Sequence, residues 1–251
     1  LLAMLLSDEA KVEAARLVVP GRVSGLLGTD NSKRDLWSGV IAGVKWALLI
    51  GLLTAFVSVA IGVVWGITSA FFGGWVDSLM MGITDIWLTI PRFLLLVVVA
   101  TLVRLENIWM LALFLAFFGW PGLARQIRSQ VLSLKKREYV EAAQLLDLGS
   151  AHIIFREMLP NMASYILIAL IESMTSAIYS QTYLVFLGLV PFGNNWGVLF
   201  SLAYAKNAIY NPNAMASLLV PMGGIVLLQL SLIMFSRSLE EVFNPRLRTG
   251  V

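Results

Sequence analysis

Residues 46–76 read WALLIGLLTAFVSVAIGVVWGITSAFFGGWV, from Trp46 to Val76 without a single charged side chain. A helix needs about 20 consecutive apolar residues to cross a bilayer, so this run is long enough to cross with tilt or to reach into the headgroups. The rest of the chain agrees. Of 251 residues, 59% are hydrophobic and 13% charged, against roughly 45–50% and 25% in soluble domains. A soluble fold of this length could not hide so much apolar surface, so lipid is the solvent. The apolar runs are continuous and do not alternate with polar residues, which rejects a β-barrel. Helices remain as the way to pair every backbone N–H and C=O inside lipid. The expected fold class is an all-α membrane protein.

Outward from that run, the Gly73-Gly74-Trp75 turn leads to a second span, about Leu79 to Val103, which carries Asp85 and Arg92 and is interrupted by Pro91. A third runs from Asn107 to Ala124, closed by Gly119-Trp120-Pro121-Gly122, and a fourth from about Asn161 to Leu187. The segment 188–213 reads as turns, with Pro191, Gly193-Asn194-Asn195-Trp196-Gly197 and Asn211-Pro212-Asn213; the last span covers Ala214 to Ser236. The chain opens Leu1-Leu2-Ala3-Met4-Leu5-Leu6, too short to span. It reads as the end of a first membrane helix over 1–7, a sixth beside the five visible ones. An external or interfacial segment is expected over 8–37, the membrane-spanning bundle over 38–237 and a cytoplasmic tail over 238–251.

Lys- and Arg-rich loops stay in the cytoplasm. Residues 125–160 carry Arg125, Arg128, Lys135, Lys136, Arg137 and Arg156, and the tail carries Arg237, Arg246 and Arg248, whereas 188–213 has Lys206 alone. The first two are expected inside and the third outside. Alternation then puts 8–37 outside despite Lys11, Arg16, Arg22, Lys33 and Arg34; a preceding helix would fix the orientation.

Little in the chain can do bond-making chemistry. It has no cysteine and one histidine, His152, so thiolate metal sites and disulfides are excluded. No glycine-rich loop ends in Lys-Ser or Lys-Thr, so the chain has no phosphate-binding loop and is not itself an ATPase. No paired-carboxylate or nucleophile constellation is present; no catalytic residue and no metal ligand is expected. The net charge of +3 gives no case for nucleic acid. The eight tryptophans sit mostly at span ends, where interfacial anchoring is expected. Gly62 and Gly66 suit close helix packing.

Charges within spans face protein or water, because at mid-bilayer each costs at least about 2.5–3.5 kcal/mol. Asp85 and Arg92 lie two turns apart on one helix face, about 10 Å along the axis, beyond direct pairing unless both side chains reach or Pro91 bends the helix. Arg92 and Glu172 are expected to line a translocation path or to pair across helices; Asp85 stands near the cytoplasmic end of its span. The polar segment itself looks like two short helices with a corner. Tyr139 to Leu146 holds strong helix formers, Asp147-Leu148-Gly149-Ser150 breaks the run, and Ala151 to Leu159 resumes until Pro160. The small residues Ala142, Ala143 and Gly149 permit close approach by another surface.

Glu141-Ala142-Ala143, followed by Leu159-Pro160-Asn161, resembles the EAA loop of ABC importer permeases. Further stretches sharpen the match: Gly28-Thr29-Asp30 with Arg34-Asp35, Asp85 with Pro91, Gly119 to Arg125, Val131 to Lys135, Phe186-Leu187-Gly188-Leu189, Trp196-Gly197 and Asn244 to Arg248. Together they resemble the C-type subunit of the dipeptide/oligopeptide/nickel permease family over about residues 28–248.

The resemblance implies a type I ABC importer transmembrane domain in the plasma (inner) membrane, with cytoplasmic coupling helices. It implies as partners a second, B-type permease subunit, two cytoplasmic ATPase subunits, an external substrate-binding protein and the lipid bilayer. ATP and magnesium would sit on the ATPases, and this chain would bind no cofactor. Peptides are the implied substrate, with oligosaccharides or nickel as alternatives; a secondary transporter or channel would explain the spans but not the corner. The EAA coupling loop would be residues 138–160, with Glu141, Ala142, Ala143, Leu146, Asp147, Gly149 and Ser150 meeting an ATPase. The candidate pathway residues, read from the polar groups inside the spans, are Arg92, Glu172, Asp85 and Gln181. Three positions depart from the family pattern. Its loop glycine falls at Asp147, which either changes the corner or caps the second short helix; its Glu before Phe186 is Gln181; and its glycine before Arg34 is Lys33.

Overall fold

The structure, a computed structural model, describes residues 26–30, 34–190, 195–211 and 214–243. The expected helix tail over 1–7, most of 8–37 including Lys33, the Gly193-Asn194 pair and the Asn244–Arg248 motif lie outside the described residues. Nine helices carry the described fold: α1 Leu36–Phe72, α2 Gly74–Thr89, α3 Arg92–Leu102, α4 Ile108–Phe117, α5 Trp120–Leu134, α6 Glu138–Leu145, α7 Ser150–Phe186, α8 Trp196–Ala205 and α9 Ala216–Phe243. Helices α1, α7 and α9 are each long and apolar enough to cross a bilayer. The pairs α2–α3 and α4–α5, bent by 81° and 50°, are each apolar enough together, which gives five spans if each bent pair counts as one.

The charge-free run proves to be part of a longer helix. Asp35 caps α1 by accepting from the N–H groups of Trp37 and Ser38, so the helix starts ten residues before Trp46 and takes in Lys45. It ends at Gly73, whose φ of 64° a residue with a side chain rarely adopts. One face of α1 is a ladder of small residues, Gly39, Gly43, Ala47, Gly51, Ala55, Ser58, Gly62, Gly66 and Ala70, all buried. Where lipid tails are as apolar as leucine, such a face brings backbones close and lets dispersion hold the helices. A Cβ on Gly66 would come within 2.5 Å of the Ala124 carbonyl oxygen, and one on Gly43 within 2.4 Å of the Trp196 ring. Helix α1 is therefore the post around which α5, α7, α4 and α8 pack.

Contacts sort the helix ends into two sets. At one end, Arg128 in the middle of α5 pairs with Asp77 in the first turn of α2, and Lys135, just past the end of α5, reaches the last carbonyls of α1. At the other, Trp196 donates its indole N–H to the Val40 carbonyl at 3.2 Å. Leu36 therefore starts at the end opposite the α6–α7 corner.

Four expectations need correction. Gly119-Trp120-Pro121-Gly122 does not close the third span: Pro121 sits in the first turn of α5, where its missing N–H costs nothing. Residues 125–134 consequently belong to a bundle helix, with Ile127 and Val131 fully buried, and are not part of a loop. Pro160 does not stop the helix before the fourth span. A π-helical stretch, Ile153–Met158, carries α7 past it, with the Leu159 N–H donating to the Ile154 carbonyl, five residues back. The wider turn relieves the clash a proline ring makes with the carbonyl four residues back, and the Asn161 side chain donates to the Glu157 carbonyl at 2.6 Å. Finally, residues 188–213 are not all turns: Asn195 caps α8 by accepting from the Val198 N–H at 3.0 Å, and Gly197 lets α8 press onto α7 beside the Thr182 carbonyl.

The tryptophans are not mainly interfacial either. Trp196 and Trp120 are buried, Trp65 packs on Trp120 at 4.8 Å between centroids, and Trp87 joins Phe117, Phe118 and Trp120. Trp75 and Trp109 stay exposed, as span-end anchors do.

Candidate functional site: the elbow and the charges within the spans

The corner is built from α6 and the first turns of α7, one short helix and the start of a long one. Glu138 and Glu141 stand in the first turn of α6, where the helix dipole favours acids. At its other end the chain turns through Asp147, with φ of 51°. The Leu148 N–H donates to the Ala143 carbonyl at 3.2 Å and the Asp147 N–H to the Gln144 carbonyl at 3.0 Å. That pair of bonds is a Schellman closure with Asp147 in the left-handed position usually held by glycine. Asp147 caps no helix: α7 begins after Gly149 with no side-chain cap.

Val140 and Ala143 face inward and join Ile153, Met158, Val131 and Ile127 in one apolar cluster. Ala143 is thus a root of the elbow, buried on its inner side. Glu141, Ala142, Leu146, Asp147, Gly149 and Ser150 are all exposed. Between them the elbow holds out Leu145, 88% exposed, Leu146, 71%, and Leu148, 42%, with Phe155 at 68% nearby. Covering one leucine removes about 1.5–3 kcal/mol of unfavourable exposure. Three on one tight turn, rimmed by acids, form an exposed apolar patch of the kind that marks an interaction surface.

The elbow hangs on a charged clamp that sequence reasoning missed. Arg128 donates from Nε to Asp77 Oδ1 at 2.6 Å and from Nη2 to Oδ2 at 2.5 Å, while the Ser69 hydroxyl donates to the same carboxylate. Lys135 Nζ donates to the Ala70 and Phe71 carbonyls at 3.2 and 3.0 Å, where a cation offsets the negative end of α1. Asp77 could have been found as the one charge between Trp46 and Asp85, immediately after the Gly73-Gly74 turn.

The intramembrane charges do not pair with one another. Asp85 pairs with Arg125 of α5, both sides largely exposed. Arg92, half-buried as the first residue of α3, donates from Nη1 to the Ser176 hydroxyl of α7 at 2.7 Å. Its Nε is buried without an acceptor among the described residues. Glu172 lies one turn from Ser176 on α7 and is exposed, so it is not Arg92's partner. Gln181 is buried, with its amide oxygen unbonded among the described residues, and does not share the exposed face of Glu172. The bends at Pro91 and Gly119 lie beside each other around a cavity of about 270 Å³ lined by Trp87, Pro91, Arg92, Phe118, Gly119 and Gly122.

Comparison with known proteins agrees with this architecture. The chain matches the family "Binding-protein-dependent transport system inner membrane component" over residues 62–249. It is 31% identical to an oligopeptide transport system permease protein of Bacillus subtilis, over 88% of this chain and 72% of that one. It is also 31% identical to a putative peptide permease protein of Brucella suis, over 87% of this chain and 72% of that one, and 35% identical to an oligopeptide permease protein of Mycobacterium tuberculosis, over 68% and 60%. Among solved structures it superposes on a chain of the MetNI methionine ABC transporter, in inward-facing conformations, with TM-score 0.64, 15% identity and coverage of 80% of this chain and 96% of that one. The fold is that of a type I importer membrane domain, and the chain belongs to the family of inner-membrane components of binding-protein-dependent transport systems.

Proposed function

We propose that this permease forms half of the translocation path of a peptide importer and takes its motion from a cytoplasmic ATPase through the elbow at 138–152. The observation that carries the reading is the elbow's exposed apolar tip, Leu145, Leu146 and Leu148, on a turn rooted in the bundle by Val140 and Ala143. Peptides are favoured because curated relatives over most of the chain are named peptide or oligopeptide permeases. The partners in this reading are an external binding protein, a B-type permease and two ATPases, one of which receives this elbow. ATP and magnesium belong to those ATPases, and hydrolysis is assigned to them.

The chain has no cysteine, so single replacements give unique handles. In the assembled importer, benzophenone-maleimide on Ala142→Cys or Leu146→Cys is expected to form adducts with the ATPase subunit on illumination. The same probe on Tyr210→Cys, 85% exposed at the opposite end, is expected to form none. An elbow cysteine that labels no ATPase, or that an impermeant thiol reagent reaches from outside, overturns the reading.

A further inference from the structure

Arg92 is a cation within a broken span that no carboxylate among the described residues approaches within ion-pair distance. Its bonds leave it short of acceptors: Nη1 is held by Ser176, and Nε has none among the described residues. The guanidinium borders the cavity of about 270 Å³ between the two helix breaks. The lack of a side chain at Gly119 opens that space, since a Cβ there would stand 3.3 Å from Nη2. The cavity has room for a carboxylate with bound water.

What Arg92 is joined to matters as much. Ser176 shares a face of α7 with Glu172, Tyr179 and Tyr183 at helical spacing, and those three side chains are exposed. Phe93, next to Arg92, packs edge-on against Tyr183 at 5.8 Å. A span face bearing a carboxylate, a hydroxyl and two phenols does not turn to lipid; it turns to water or to protein. We propose that Arg92, steadied by Ser176 beside this face, binds the carboxylate of the peptide in transit. This rests on the peptide reading above. A guanidinium presents N–H groups in a planar fork suited to a carboxylate, and a low-dielectric wall strengthens that bond.

The rival is that Arg92 only pins α3 to α7. The complete importer in proteoliposomes separates the two, reading ATP-driven uptake of a short peptide against its C-terminal amide at saturating binding protein. The same binding protein and ATPases serve every arm, so a change in the acid-to-amide ratio reports on this chain. Arg92→Gln is expected to lower that ratio about tenfold, the scale of one charge-assisted hydrogen bond. Arg92→Lys is expected to keep part of the preference, and Ser176→Ala to fall between. Equal slowing of both peptides in Arg92→Gln, or no change in either, overturns the proposal. If that variant does not assemble, an unchanged ratio in both Arg92→Lys and Ser176→Ala overturns it. Wild-type vesicles that accumulate neither peptide overturn the peptide reading itself, a result distinct from an unchanged ratio.

Discussion

Asp147 turns a departure from the family pattern into a measurable strain. Its φ of 51° lies where a Cβ crowds the following carbonyl, and aspartate is among the few residues with side chains that tolerate it. The elbow keeps its shape because the Schellman bonds from Asp147 and Leu148 close it whatever the side chain. Asp147→Gly should therefore stabilise the elbow by about 1 kcal/mol, raising the melting temperature of the purified complex or leaving it level. Asp147→Val should lower it, because a β-branched residue is a true outlier there. A glycine variant that melts well below wild type would show that the Asp147 side chain has a role this backbone geometry does not explain. The sequence showed where the departure lies but left two outcomes open, a changed corner or a cap. The choice depended on hydrogen bonds to Ala143 and Gln144, which residue type alone does not encode.

At the scale of elements, packing follows from the small face of α1. Gly66→Val puts side-chain atoms where the Ala124 carbonyl now stands, 2.5 Å from an ideal Cβ. Backbone cannot move aside as a flexible side chain can, so α1 and α5 must separate. The expected result is a severalfold loss of assembled complex on size-exclusion chromatography, while Gly82→Val, which meets nothing within 4 Å, assembles normally; equal yields for the two would contradict the account. The apolar runs made the spans legible because lipid demands length above all. The continuation of α7 past Pro160, the bend at Gly119 and the helix α8 were not legible. Each depends on something a local pattern does not show: a π turn that absorbs a proline, a cavity between two breaks, and a buried Trp196 that holds a short helix on α1. The interior positions of Trp65, Trp87 and Trp120 were missed for the same reason, because a tryptophan near a span end looks interfacial until its neighbours are known.

Across the whole molecule, the elbow and the bundle must move as one if ATPase closure is to reach the path. The apolar cluster of Val140, Ala143, Ile153 and Met158 joins the elbow to α5 and α7, but apolar packing alone lets helices slide. The Arg128–Asp77 pair resists sliding, since two parallel N–H···O bonds fix both distance and orientation between α5 and α2. Lys135 ties the end of α5 to the last carbonyls of α1. Breaking one partner strands a half-buried charge, whereas restoring opposite charges in swapped order recovers the link without the original geometry. In reconstituted importer, Asp77→Arg and Arg128→Asp should each cut ATP-driven uptake about tenfold or more, and the double swap should regain a substantial part of it. If the ATPases bind the elbow as proposed, ATP hydrolysis by the complex should persist in the single variants, while the elbow's movement no longer reaches the distant helices. Uptake that survives either single variant, or hydrolysis that falls in step with uptake, would show that force passes through the apolar cluster and not through this clamp.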